Sequence, residues 1–108
     1  MKLLICIVQD RDAAPLMEDL VENKFRVTRL SSTGGFLKSG NTTLFLGVEE
    51  DQIDGALDII RRNSSRRKTI APMISPQIDP GVYSSIPIEI EVGGATVFQI
   101  DIDRMYRL

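Results

Sequence analysis

The chain contains no histidine and a single cysteine, and these two scarcities remove most of the usual catalytic chemistry. Without imidazole there is no histidine general base and no Ser–His or Cys–His dyad. Zinc sites built from His and Cys likewise lack ligands. The one thiol, Cys6, lies inside the apolar run Leu3-Leu4-Ile5-Cys6-Ile7-Val8, which predicts a buried, reduced side chain on a strand. That fits a cytoplasmic protein. The same run is too short for a signal-peptide core or a membrane span, so no membrane insertion is expected. Neither common nucleotide fingerprint is present. No Gly-x-Gly-x-x-Gly occurs, and although Gly35 and Gly40 have the spacing of a P-loop, Asn41-Thr42 follows where Lys-Ser or Lys-Thr is required. An excess of one charge is also lacking. With 13 basic against 15 acidic residues and a pI near 5.1, the chain has no broad positive field, and no DNA or RNA partner is expected.

What is present is an ordinary globular composition, 43% hydrophobic and 26% charged over 108 residues. One domain, residues 1–108, accounts for it. A domain of this size leaves about a third of the unfolded chain's surface exposed after folding, so it gains by oligomerising.

Periodicity predicts two similar halves. Lys2 to Gln9 reads as a strand. Asp10 or Asp12 then caps a helix to about Asn23, with Leu16, Met17, Leu20 and Val21 on its buried stripe. Phe25 to Ser32 reads as a second strand, with Phe25 and Val27 on one face and Arg26, Thr28 and Leu30 on the other. Thr42 to Val48 is a third. Glu49-Glu50-Asp51 opens a second helix that runs to about Arg62, where Arg61-Arg62 complements the helix dipole. Ile53, Ala56, Leu57 and Ile60 form its apolar stripe. A fourth strand is expected at Ile86 to Val92 and a fifth at Ala95 to Ile102, joined by Gly93-Gly94. The fold class is therefore α+β: a ferredoxin-like βαββαβ plait with both helices on one face, an extra C-terminal strand, and a long loop from Asn63 to Ser85 before the fourth strand. Thr43 to Val48 is apolar at nearly every position, so the other face of the sheet expects a cover, and another copy of the chain is the natural one.

The segment Thr33-Gly34-Gly35-Phe36-Leu37-Lys38-Ser39-Gly40-Asn41-Thr42-Thr43 combines glycines, an aromatic, a cation and an amide between two strands. Glycines let a backbone turn its N–H groups toward an anion, and a loop aromatic offers a face to a ring. The plainer reading is a hairpin connection, for which Gly, Ser and Asn are common residues. Gly47 interrupts a strand and weakens it unless something approaches its backbone closely. The basic run Arg61-Arg62 and Arg66-Arg67-Lys68 reads first as a solvated face.

Several ungapped motifs together resemble the PII-like cyclic di-AMP receptors of Gram-positive bacteria. They are Ile7-Val8-Gln9-Asp10, Phe25-Arg26-Val27-Thr28, Thr33 to Leu37, Gly40 to Thr43, Gly47-Val48 and Glu91-Val92-Gly93-Gly94-Ala95-Thr96-Val97-Phe98. The resemblance covers essentially the whole chain. It implies a PII-like signal-transduction protein, not an enzyme, that forms a homotrimer and binds cyclic di-AMP in clefts between neighbours to regulate an unidentified downstream protein. No cofactor or metal is implied. Residue chemistry agrees. Asn41 matches the N6 and N7 edge of adenine, Thr28 adds a hydroxyl, and the Gly47 backbone is open to a ring. Phe36 and Leu37 line one adenine, Gly35 presents N–H groups to a phosphate, and Arg26 reaches a phosphate or ribose. Gly93, Gly94 and Phe98 carry over from the last motif, Phe98 completing the cleft wall from the adjoining subunit. Lys24 departs from the smaller amide residue that relatives can carry there, and Arg107 is a second departure.

Duller readings stand beside these. Arg26 pairs with Asp101 or Asp103, and Phe98 is a core residue. Two other functions compete: a PII-like regulator of another nucleotide such as ATP, and a small acylphosphatase using Arg26 and Asn41. The second lacks the glycine-rich loop after the first strand, since Val8-Gln9-Asp10-Arg11-Asp12 contains no glycine.

Overall fold

The computed structural model describes residues 1–30, 40–74 and 85–108. Strand β1 (Lys2–Gln9) leads into helix α1 (Asp10–Glu22), then β2 (Val27–Leu30) and β3 (Asn41–Val48). A 3-10 turn (Glu50–Gln52) precedes helix α2 (Ile53–Ser64), followed by β4 (Arg67–Ile74), β5 (Ser85–Val92) and β6 (Ala95–Asp101). The main sheet has the order β2-β3-β1-β6 and is antiparallel throughout; β4 and β5 form a second, two-stranded sheet. This is the ferredoxin-like plait, with the strand roles exchanged relative to expectation. The edge place beside β1 belongs to β6, in the register Ile5↔Phe98 and Cys6↔Val97. The expected fourth strand, β5, instead pairs with β4, Thr69 opposite Ile90.

The segment Asn63 to Ser85 is accordingly not a structureless loop. Asn63 and Ser64 complete α2, and Arg67–Ile74 is a strand. Only residues 75–84 of that expectation lie outside the described residues. The β4–β5 pair is an arm inserted between α2 and β6. Its root closes on itself, because the Gly94 N–H donates to the Ser64 carbonyl.

Alternation in β1 and β3 builds the core. Leu4, Cys6 and Val8 of β1 and Leu44, Leu46 and Val48 of β3 point toward the helices and are buried with Ala13, Leu16, Leu20, Ala56, Ile59 and Ile60. Each fully buried Leu contributes about 1.5–3 kcal/mol. Phe25, Val27, Met17, Ile53, Leu57 and Val97 pack around this cluster. Val21, expected on the buried stripe of α1, is 60% exposed, and Ala13 takes its place.

Local capping rules fail at α1 for a tertiary reason. Its N-cap is Gln9, without a side-chain cap. Asp10 accepts a hydrogen bond from Thr42 Oγ1 (2.6 Å), and Asp12 is buried beneath Arg67. At the 3-10 turn that leads into α2, Glu49 forms a capping box with Gln52, as an acidic helix start suggests.

Candidate functional site

The sequence-predicted residues fall into separate groups. Asn41 begins β3 opposite Gln9, the last residue of β1. Gly93 and Gly94 form the bend between β5 and β6, both with positive φ (88° and 96°). These three line one recess of about 230 Å³ together with Ile7, Val8, Gln9, Arg66, Ala95 and Thr96. A neighbouring cavity of about 520 Å³ shares Gln9 and Asn41 and is walled by Asp10, Arg11, Gly40 and the arm residues Ile90, Glu91 and Val92. Gln9 anchors the junction: its Oε1 accepts the Gly93 N–H at 2.8 Å. Sequence reasoning did not select Gln9. Its signal was a lone carboxamide ending an apolar strand inside the Ile7-Val8-Gln9-Asp10 motif.

Gly47 and Thr28 lie elsewhere. Gly47 pairs with Leu3 and is exposed; Thr28 pairs with Phe45 at the β2 edge and is exposed, as is Arg26 just before that strand. Asn41 and Gly47 stand six positions apart along β3, about 20 Å of extended chain. Neither of the two cavities lined by Asn41 includes Gly47 among the described residues. Gly35, Phe36 and Leu37 lie outside the described residues.

The sheet face turned away from the helices carries Leu3, Ile5, Ile7 and Phe45, all partly buried, with Phe98 52% and Ile100 47% exposed. Phe98 is therefore not a core residue. The two glycine positions differ in kind. A Cβ at Gly93 would stand 2.4 Å from the Ser65 carbonyl oxygen and 2.6 Å from Arg67 Nη1, so the fold itself forbids a side chain there. At Gly47 a Cβ would meet nothing within 4 Å among the described residues.

Asp101, one of the two carboxylates expected to compete for Arg26, is taken by Lys2. The basic run is compensated residue by residue: Arg61 by Asp58, Arg62 by Asp19, Arg66 by Glu91, Arg67 by Asp12 and Lys68 by Glu89. Among the described residues there is no cluster of His, Cys, Asp or Glu suited to a metal ion. No described helix is long and apolar enough to cross a membrane.

An antiparallel plait with an inserted arm and a glycine-lined recess at the end of its central strands defines a PII-like protein. The sequence pattern of the family described as "Cyclic-di-AMP receptor" matches residues 1–108, and the chain belongs to that family. It is also similar to a crystal structure of a functionally unknown protein from Pediococcus pentosaceus ATCC 25745, with 40% sequence identity and a TM-score of 0.78, covering 99% of this chain and 96% of the other. Family membership makes cyclic di-AMP the implied ligand.

Proposed function

We propose that the protein is a cytoplasmic signal-transduction receptor that binds cyclic di-AMP in clefts between the protomers of a homotrimer and regulates a downstream protein through its loops and arm. It catalyses no reaction in this reading. The observation that carries it is Gly47. A glycine inside a strand costs roughly 0.5–1 kcal/mol relative to alanine. The protomer supplies no neighbour among the described residues that requires one. An approach from outside the protomer accounts for it.

The separation of Asn41 from Gly47 supports the same conclusion, since neither of the two cavities that Asn41 lines includes Gly47. A second protomer completes the site. In the assembled cleft Asn41 reads an adenine edge, Thr28 adds a hydroxyl contact, and a ring lies on the Gly47 backbone. Phe36 and Leu37 flank that ring, each stacking contact being worth about 1–3 kcal/mol. Gly35 offers backbone N–H groups to the phosphates, Arg26 offers a guanidinium, Gly93 and Gly94 line the recess, and Phe98 of the adjoining subunit closes the wall. The uncovered apolar sheet face, with Phe98 and Ile100 half exposed, supports trimer formation. The compensated basic run supports the expectation of no nucleic-acid partner.

A thermal-shift panel tests the reading. Cyclic di-AMP at 100 times its Kd stabilises by about 2.7 kcal/mol, a rise in Tm of about 10 °C for a domain of this size, while ATP and cyclic di-GMP leave Tm unchanged. Asn41→Ala is expected to weaken binding about 5- to 150-fold, the value of one bidentate base contact. A shift with ATP instead identifies the other PII-like reading.

A further inference from the structure

The β4–β5 arm is rooted in one ion pair between a buried carboxylate and a half-exposed guanidinium. Arg67, the first residue of β4, donates from Nη2 to Asp12 Oδ1 at 2.7 Å, from Nη1 to Asp12 Oδ2 at 3.5 Å, and from Nη1 to the Ser65 carbonyl at 3.1 Å. Asp12 stands in the first turn of α1 and is only 3% exposed. A carboxylate so placed is tolerated only while its partner stays. The Arg67 side chain is itself 43% exposed, so solvent lies beside the guanidinium for it to withdraw into.

The guanidinium also rests against Gly93, whose missing side chain leaves the space that Arg67 Nη1 and the Ser65 carbonyl occupy. On its other side Gly93 donates its N–H to Gln9 Oε1. Gln9 and Gly93 both line the recess beside Asn41, and the arm's own Ile90, Glu91 and Val92 wall the adjoining cavity. Contacts thus run unbroken from Asp12 through Arg67 and Gly93 to Gln9. A ligand bearing phosphate oxygens and base edges competes for the Gly93 N–H and the Gln9 carboxamide, the groups that hold Gly93 in place beneath Arg67.

We propose that the Asp12–Arg67 ion pair couples nucleotide in the recess to the position of the β4–β5 arm, with Arg67 as a positioning residue that does not itself touch ligand. This rests on the functional reading above and adds the route by which the arm senses the site. Sensing requires an element with two arrangements that ligand biases, and the seated or withdrawn guanidinium is that element.

Hydrogen exchange of the full chain with and without saturating cyclic di-AMP tests it, using Arg67→Ala, Arg67→Lys and Asp12→Asn. In the wild-type protein, ligand changes exchange of the arm amides at 68–70 and 88–91 by at least about fivefold, the low end of ordinary coupling. In variants shown to be folded by circular dichroism, cyclic di-AMP still binds by calorimetry, but those amides exchange alike with and without it. Arg67→Lys keeps a charge beside Asp12 while losing the fork onto Ser65, so it decides the matter if Arg67→Ala does not fold. Binding with an undiminished arm response in the variants overturns the coupling alone, as does binding without any arm response in the wild type. A wild-type protein that takes up no cyclic di-AMP overturns the functional reading and this inference with it.

Discussion

Ile5 and Phe98 stand side by side across the β1–β6 pairing, on the sheet face that neither helix covers, and Phe98 is half exposed there. Cys6 and Val97, one residue along each strand, face the core instead. The period-2 pleat thus gives this sheet two apolar sides, of which the two helices bury one. Phe98→Asp is expected to leave the far-UV circular dichroism unchanged and to reduce the mass by light scattering from three protomers to one. A trimer that survives the substitution locates the interface elsewhere.

Gly47→Val places a strand-favouring side chain where nothing among the described residues obstructs it. The isolated fold should be as stable or gain up to about 1 kcal/mol. Cyclic di-AMP binding should be lost. Calorimetry beside chemical denaturation separates the two effects, and undiminished binding would remove Gly47 from the cleft.

Gly93 presents the opposite case. Gly93→Ala combines a left-handed φ of 88° with a 2.4 Å approach to the Ser65 oxygen, whereas Gly40→Ala has a φ of 94° and open space among the described residues. Strain of the first kind alone costs about 1–3 kcal/mol. Gly93→Ala should therefore lower Tm by more than Gly40→Ala, and the order of the two Tm values is the check.

Asp19 ties α1 to α2. It accepts Arg62 Nε at 2.7 Å and Asn63 Nδ2 at 2.7 Å, with Asn23 Nδ2 at 3.0 Å. The Arg62 hydrogen bonds, then that of Asn63, hold its carboxyl down to about 2 from an ordinary 3.8. A lowered folded value means that the carboxylate's stabilisation is fully present above about pH 4 and is lost as pH falls toward 2. Acid titrations of wild type and Asp19→Asn should show a stability difference that narrows over that window. A difference constant from pH 5 to 2 would contradict the assignment.

The helix-facing core, both helices and the motifs that mark the family were legible because each is written locally. Leu4-Cys6-Val8 and Leu44-Leu46-Val48 alternate, and Leu16 with Leu20 keeps helical spacing. The polar partners were not legible. Asp10 and Asp12 looked like helix caps by position, yet Thr42 and Arg67, 32 and 55 residues away, claimed their oxygens. A cap is worth about 1 kcal/mol, less than the cost of leaving a buried carboxylate unpaired.

Strand pairing divides along the same line. Alternation of Ile88, Ile90 and Val92 with Glu89 and Glu91 identifies an extended segment with two unlike faces, a property of the residues alone. It carries no address, because a half-buried strand reads alike in a main sheet and in an outlying hairpin. The address came from contacts distant in sequence: Thr69 opposite Ile90, the Gly94 N–H on the Ser64 carbonyl, and Val97 beside Cys6. Only the folded chain brings those atoms within hydrogen-bonding reach, so only it could assign β5 to the arm and β6 to the plait.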